Sequence, residues 1–217
     1  MSSPTNKASS HGRKNFFTTV QVPFPDVIGG KINTSNFIEA SKGVVELVDR
    51  FGGIFAPVKY DMSGNIKKLT EKYESNKERF MYLNDMILIE KQENGNYATD
   101  ALLWLRRALN FVYTFFKCIR EDARKGGNTE DLILFLQKAY EETLKRYHGW
   151  MAQQVFGLLA KMCPGRSVLL NTLALGEPDQ ESEVMEDMDT FLTRLHSNIS
   201  TLSAFYAQHG LETNTRV

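Results

Sequence analysis

The sequence predicts an all-α protein, and three observations carry that prediction. Apolar residues recur at three- and four-residue steps in one segment after another from about Asn33 to the C-terminus. Gly, Pro and Asn punctuate those segments at points where a helix must stop. No stretch alternates apolar and polar residues long enough to form a strand, and no repeat recurs along the chain. The expected architecture is seven or eight helices packed on one core.

Residues 1–32 read as a flexible or irregular N-terminal segment, and 33–217 as one domain. The first fourteen residues are rich in Ser, Asn, Lys and Gly without an apolar period, the composition of a disordered tail. Phe16 to Ile32 carries apolar residues between Pro23, Pro25 and Gly29-Gly30, which suits an extended or irregular lead-in. Thr34 or Ser35 then caps a helix with Phe37, Ile38, Val44, Val45, Leu47 and Val48 on one side, ending at Gly52-Gly53. A connector with Pro57 leads to Asp61, a cap or first-turn residue of a second helix running to about Tyr73. A third spans about Asn76 to Lys91. After the Asn94-Gly95-Asn96 turn a long helix covers about Tyr97 to Asp122, stopped by Gly126-Gly127. Asn128 or Thr129 caps another long helix that passes through His148 and Trp150 to about Met162. Beyond Pro164-Gly165 come a short helix, an acidic loop around Pro178, and a last helix from about Ser182 to Gln208.

Composition narrows the function classes. Hydrophobic residues are 42% of the chain, enough for a sizeable core, and the 14 Phe suit an adaptable apolar cavity. Lys plus Arg balance Asp plus Glu at 26 each, so no global field draws nucleic acid or an anionic membrane. Cys118 and Cys163 sit in apolar helical contexts with no CxxC partner and no His at metal spacing, which suits buried thiols in a reducing compartment. The N-terminus lacks the pattern of a secretory signal. The run Ala101 to Phe116 is too short to span a bilayer and is broken by Arg106, Arg107 and Asn110. The expectation is a cytoplasmic protein with no cofactor and no metal. GxSxG, a Walker-type loop, HExxH and a DxD run are all missing, so an enzyme is not expected; Asp61 and His148 make an acid–base pair without a nucleophile beside them.

Three groups of residues carry chemistry. Asp61, Asn65 and Lys68 stand at i, i+4 and i+7, which stacks them on one helix face. A carboxylate, an amide and an ammonium in a row offer the donors and acceptors that sugar hydroxyls need, although a capping Asp with a solvated face has the same spacing. Trp104 lies among leucines, either as core or as a flat plate for the C–H face of a hexose. Phe111 and Phe115 follow it on the same stripe. His148 lies in an apolar helix, where a satisfied core histidine is the ordinary case, and Trp150 is either core or an amphipathic anchor at a membrane surface.

Phe55-Ala56-Pro57-Val58-Lys59 leading into Asp61-Met62-Ser63-Gly64-Asn65-Ile66-Lys67-Lys68, then Leu103-Trp104-Leu105-Arg106-Arg107-Ala108-Leu109, then Lys145-Arg146-Tyr147-His148-Gly149-Trp150 resemble the glycolipid transfer protein family in order and spacing. The resemblance covers about Asn33 to the C-terminus. It implies a two-layer helical fold enclosing an apolar lipid pocket, and a soluble carrier of one glycosphingolipid between membranes. It assigns Asp61, Asn65 and Lys68 to the sugar headgroup, Trp104 to the stacking plate, and His148, helped by Asp61, to the ceramide amide. The chain pocket it implies draws on Val48, Phe55, Val58, Phe111, Phe115, Leu144, Phe156 and Phe191. Trp150 falls at a transient membrane contact, and the protein is expected to act as a monomer with no nucleic-acid partner. A sister branch that carries ceramide-1-phosphate places cations where Trp104, Asp100 and Asn65 stand here, which favours a neutral sugar. Asp100 departs from an apolar residue of the founding member. The terminal Asn214-Thr215-Arg216-Val217 lacks that member's Tyr, which puts a C-terminal clamp in question. A glycolipid sensor and a helical interaction scaffold are the remaining alternatives.

Overall fold

A computed structural model describes residues 14–52 and 55–217 of the chain. The expected tail lies outside these residues except for Lys14. Among the described residues there are nine α-helices and no strand: α1 (Phe16–Thr19), α2 (Thr34–Arg50), α3 (Ala56–Ser75), α4 (Leu83–Gln92), α5 (Tyr97–Arg124), α6 (Ile133–Thr143), α7 (Trp150–Ala160), α8 (Arg166–Leu173) and α9 (Glu181–Gln208). None is long and apolar enough to cross a membrane.

The lead-in is more ordered in its packing than its composition implies. Asn15 caps the short α1 through its side chain, and Phe16, Phe24 and Ile32 are completely buried. Phe191 of α9 packs against Phe17 and Phe24, with ring centroids 5.2 and 6.1 Å away. Gln21 reaches the carbonyl of Ala40 in α2 at 2.9 Å, so the irregular stretch is stitched to the helices on both sides.

Asn33, rather than Thr34 or Ser35, caps α2 by accepting from the Asn36 amide at 3.0 Å. The Thr34 hydroxyl is occupied elsewhere, donating to the Phe80 carbonyl at 2.7 Å inside the core. α3 begins at Ala56, five residues before the Asp61 start expected, because Pro57 belongs to its first turn. There its missing N–H costs nothing and its fixed φ favours the helix. α4 starts later than expected, at Leu83. The Thr34 amide bonds to the Met81 carbonyl at 2.9 Å and the Leu83 amide to the Ile32 carbonyl at 2.9 Å, which holds this stretch extended against the lead-in.

α5 is the central helix and packs against α3, α4, α6 and α9. Its N-terminus is capped from a distance: the buried Glu90 carboxylate accepts from the amides of Ala98 at 3.0 Å and Thr99 at 2.7 Å, and from the Thr99 hydroxyl. A negative charge there meets the positive end of the helix dipole. Gly126, at φ +77°, carries the chain out of the helix.

The long helix expected from residue 128 to 162 is two helices. Between them lie a 3-10 turn, Lys145–Tyr147, and an extended His148 at φ −99° and ψ 129°. The backbone groups released there are paired with the chain end: the Gly149 amide donates to the Val217 carbonyl at 2.7 Å, and the Val217 amide to the Tyr147 carbonyl at 2.9 Å. Gly149, at φ −68° and ψ 175°, gives up little by leaving a helix, where glycine is among the least favoured residues.

Candidate functional site

α2, α3 and α5 on one side and α6, α7 and α8 on the other enclose a cavity of about 640 Å³. Its wall is overwhelmingly hydrocarbon. Leu47 and Val48 come from α2, Val58 from α3, and Ala108, Phe111, Val112, Phe115 and Phe116 from α5. Leu136 and Tyr140 of α6, Leu144, and Val155, Phe156 and Leu159 of α7 complete the opposite wall. Phe111 meets Phe156 edge to face at 6.1 Å, and Tyr140 stacks flat on Phe156 at 3.6 Å. A volume so lined suits an alkyl chain and excludes a polar metabolite.

Of the eight residues expected to line a chain pocket, Val48, Phe55, Val58, Phe111, Phe115, Leu144 and Phe156 face this cavity. Phe191 does not: it packs against Phe17 and Phe24 of the lead-in. Phe111 and Phe115 share the cavity with Trp104 because steps of seven and four residues return to one face of α5.

Asp61, Trp104 and His148, far apart in sequence and borne by three different segments, line the same cavity. Protein crowds the Asp61 carboxyl even though the residue opens onto the cavity. Burial raises its pKa above the ordinary value, and the nearby Lys68 ammonium offsets part of that rise. Asn65 is buried behind it, donating to the Asp61 carbonyl at 3.1 Å and to its carboxylate at 3.5 Å, and does not line the cavity. Lys68 is likewise outside the cavity wall, with its ammonium 5.8 Å from the centre of the Tyr97 ring. Both lie against Asp61 rather than on the cavity wall.

His148 is held by a partner that sequence reasoning missed. Its Nδ1 lies 2.9 Å from the Tyr140 hydroxyl. Burial pushes the Tyr140 pKa up to about 12 and lowers that of His148, so both are neutral at pH 7. In the tautomer in which the phenol donates to Nδ1, the imidazole proton resides on Nε2, where it is a donor for a ligand. The two residues are eight apart, two helical turns, but that signal depends on an unbroken helix, which is not what forms.

Arg107, behind Trp104, was also missed. It is buried, and its guanidinium lies 4.8 Å from the Trp104 ring centre and 3.5 Å from that of Tyr147. Trp150 projects from the start of α7 with 75% of its surface exposed, beside Met151 at 73%. Among the described residues no group of His, Cys, Asp and Glu is placed to hold a metal ion.

Comparison with known proteins gives a consistent picture. The family model described as glycolipid transfer protein (GLTP) matches residues 32–175. The chain is 34% identical over 212 residues to Pleckstrin homology domain-containing family A member 8 of Mus musculus, covering 92% of this chain but 40% of that longer protein. It is 32% identical over 188 residues to the glycolipid transfer protein of Xenopus tropicalis, covering 84% of this chain and 90% of the relative. The solved structure of FAPP2, said to select simple glycosphingolipids using the GLTP-fold, superimposes with a TM-score of 0.85 at 29% identity. That match covers 94% of this chain and all of the other.

Proposed function

The chain belongs to the glycolipid transfer protein family, and on that premise we propose that it is a soluble carrier that withdraws a glycosphingolipid from one membrane and delivers it to another. One observation carries this reading: a single apolar cavity has Asp61, Trp104 and His148 in its wall. The cavity sheathes hydrocarbon, each hidden methylene being worth roughly 0.8 kcal/mol against water. Tails leaving a bilayer were already dry, so discrimination falls to the polar wall. Trp104 stacks under the sugar, Asp61 accepts from its hydroxyls and from the ceramide N–H, and His148 Nε2–H donates to the amide oxygen. Asn65 and Lys68 set the orientation and charge of Asp61.

A neutral headgroup fits better than a phosphate. Trp104, Asn65 and Asp100 supply no cation, and the guanidinium of Arg107 is already engaged with Trp104, Tyr147 and Glu212. The transfer unit spans residues 33–217 together with the packed part of the lead-in. It acts as a monomer in the cytoplasm and touches membranes briefly through Trp150. No step requires a catalytic group.

Vesicle-to-vesicle transfer of glucosyl-, galactosyl-, lactosyl- and phospho-ceramide, run side by side, tests this. The neutral glycolipids are expected to move, and Trp104→Ala to slow them at least about tenfold. Preference for the phosphorylated lipid, or no transfer of any of the four, refutes the proposal.

A further inference from the structure

Arg107 is a buried cation that makes little use of its hydrogen-bonding capacity. Only 4% of it is exposed. One terminal nitrogen is shared between Glu212 and the Thr213 carbonyl, while Nε and the other terminal nitrogen have no hydrogen-bond partner. Buried donors without acceptors are costly, so an arginine kept only for packing would be replaced by a hydrophobic residue at a gain. What the guanidinium does have is close contact with two rings. Tyr147 lies 3.5 Å away and Trp104 4.8 Å, and those rings meet each other at 6.2 Å and 79°. A planar cation on aromatic faces is a strong and directional contact, which an ammonium does not reproduce.

The three residues belong to the two segments that carry the site. Trp104 is one turn before Arg107 on α5, and Tyr147 immediately precedes His148. Arg107 itself is absent from the cavity wall. We infer that Arg107 is a positioning residue: wedged against Trp104 and Tyr147, it fixes the plane of the indole and holds the His148 segment in register with it, so the headgroup meets a preset pair. The inference rests on the glycolipid reading for its consequence, but the placement of Trp104 is measurable without any lipid.

The chain has two tryptophans, so in a Trp150→Phe background the intrinsic emission reports Trp104 alone. Arg107→Met and Arg107→Lys are both expected to shift that emission and to raise its quenching by acrylamide about twofold. In transfer assays the same variants are expected to lose about fivefold of the preference for galactosylceramide over ceramide-1-phosphate. Arg107→Lys keeps charge and length, and carries the test if the methionine variant misfolds by circular dichroism. Glu212→Gln, which weakens the tail's ion pairs with Arg106 and Arg107 but leaves the ring contacts in place, is expected to leave emission and preference unchanged. Unaltered Trp104 emission in folded Arg107 variants overturns the inference. So does recovery by lysine, which rules out stacking, or an equal effect of Glu212→Gln, which assigns Arg107 to tail anchoring. If the wild type transfers no glycolipid, the functional proposal fails, while the emission comparison still decides the role of Arg107.

Discussion

Asp61 illustrates the tension between binding and folding at a single residue. Burial raises its pKa above 3.8 against the pull of Lys68, so the fold favours the protonated acid. Between 3.8 and the raised value the folded chain binds more protons than the unfolded one, and stability therefore falls as pH rises through that window. The cost of the ionised carboxylate persists at pH 7. Asp61→Asn is expected to raise the thermal midpoint, by no more than about 2 °C given its partial exposure, while slowing glycolipid transfer at least about tenfold. A calorimetric scan beside a transfer assay checks both signs. His148 has the opposite linkage. Burial lowers its pKa from 6.5, so below pH 6.5 the unfolded chain binds the proton more readily and stability falls as the medium acidifies. Midpoints measured from pH 7.5 to 5 are expected to drop less steeply in His148→Gln than in the wild type; parallel curves would assign the acid sensitivity elsewhere. At this scale legibility depended on chain separation. Trp104, Phe111 and Phe115 were readable because one helical period relates them, whereas Tyr140 meets His148 across a chain break and Arg107 meets Tyr147 and Glu212 from other segments.

The break between α6 and α7 is the element-scale feature that sequence periodicity missed. Apolar spacing continues smoothly from Leu132 to Leu159, and a lone glycine at 149 does not stop a helix by itself. What stops it is pairing with Val217, a contact with a distant part of the chain. The break presents His148 to the cavity and places Trp150 at the head of a new helix on which Trp150, Met151 and Leu158 are all exposed, Trp150 and Met151 at the rim of the cavity. Trp150→Ala is expected to slow vesicle transfer at least about fivefold while changing the affinity for a short-chain glycolipid in solution less than about twofold. Comparable losses in both measurements would move Trp150 from the membrane face into the binding site. The early start of α3 has a local cause that was available in the sequence: Pro57 reads as a connector residue but is equally a first-turn residue, and only packing chose between them.

For the whole molecule, the all-α class was legible because the seven expected helices, one of them spanning both α6 and α7, account for eight of the nine helices among the described residues. The role of residues 16–32 was not, since an irregular segment has no period to betray its burial. Phe24 is completely buried between Phe37 and Phe191, and Phe24→Ala is expected to cost about 3–5 kcal/mol in urea unfolding, as much as a residue in a long helix. A cost below about 1 kcal/mol would show the lead-in to be dispensable. Stability is distributed unevenly around the lipid cavity. α7 buries only Leu159 and Ala160, both at its last turn, and roofs an apolar void along the rest of its length. Its amide protons should therefore exchange with deuterium well ahead of those of α5, through local openings that leave the remainder folded. Once hydrocarbon fills the space beneath, the same openings must expose that hydrocarbon to water, so cargo should slow exchange most along the roof and hardly at all in α5.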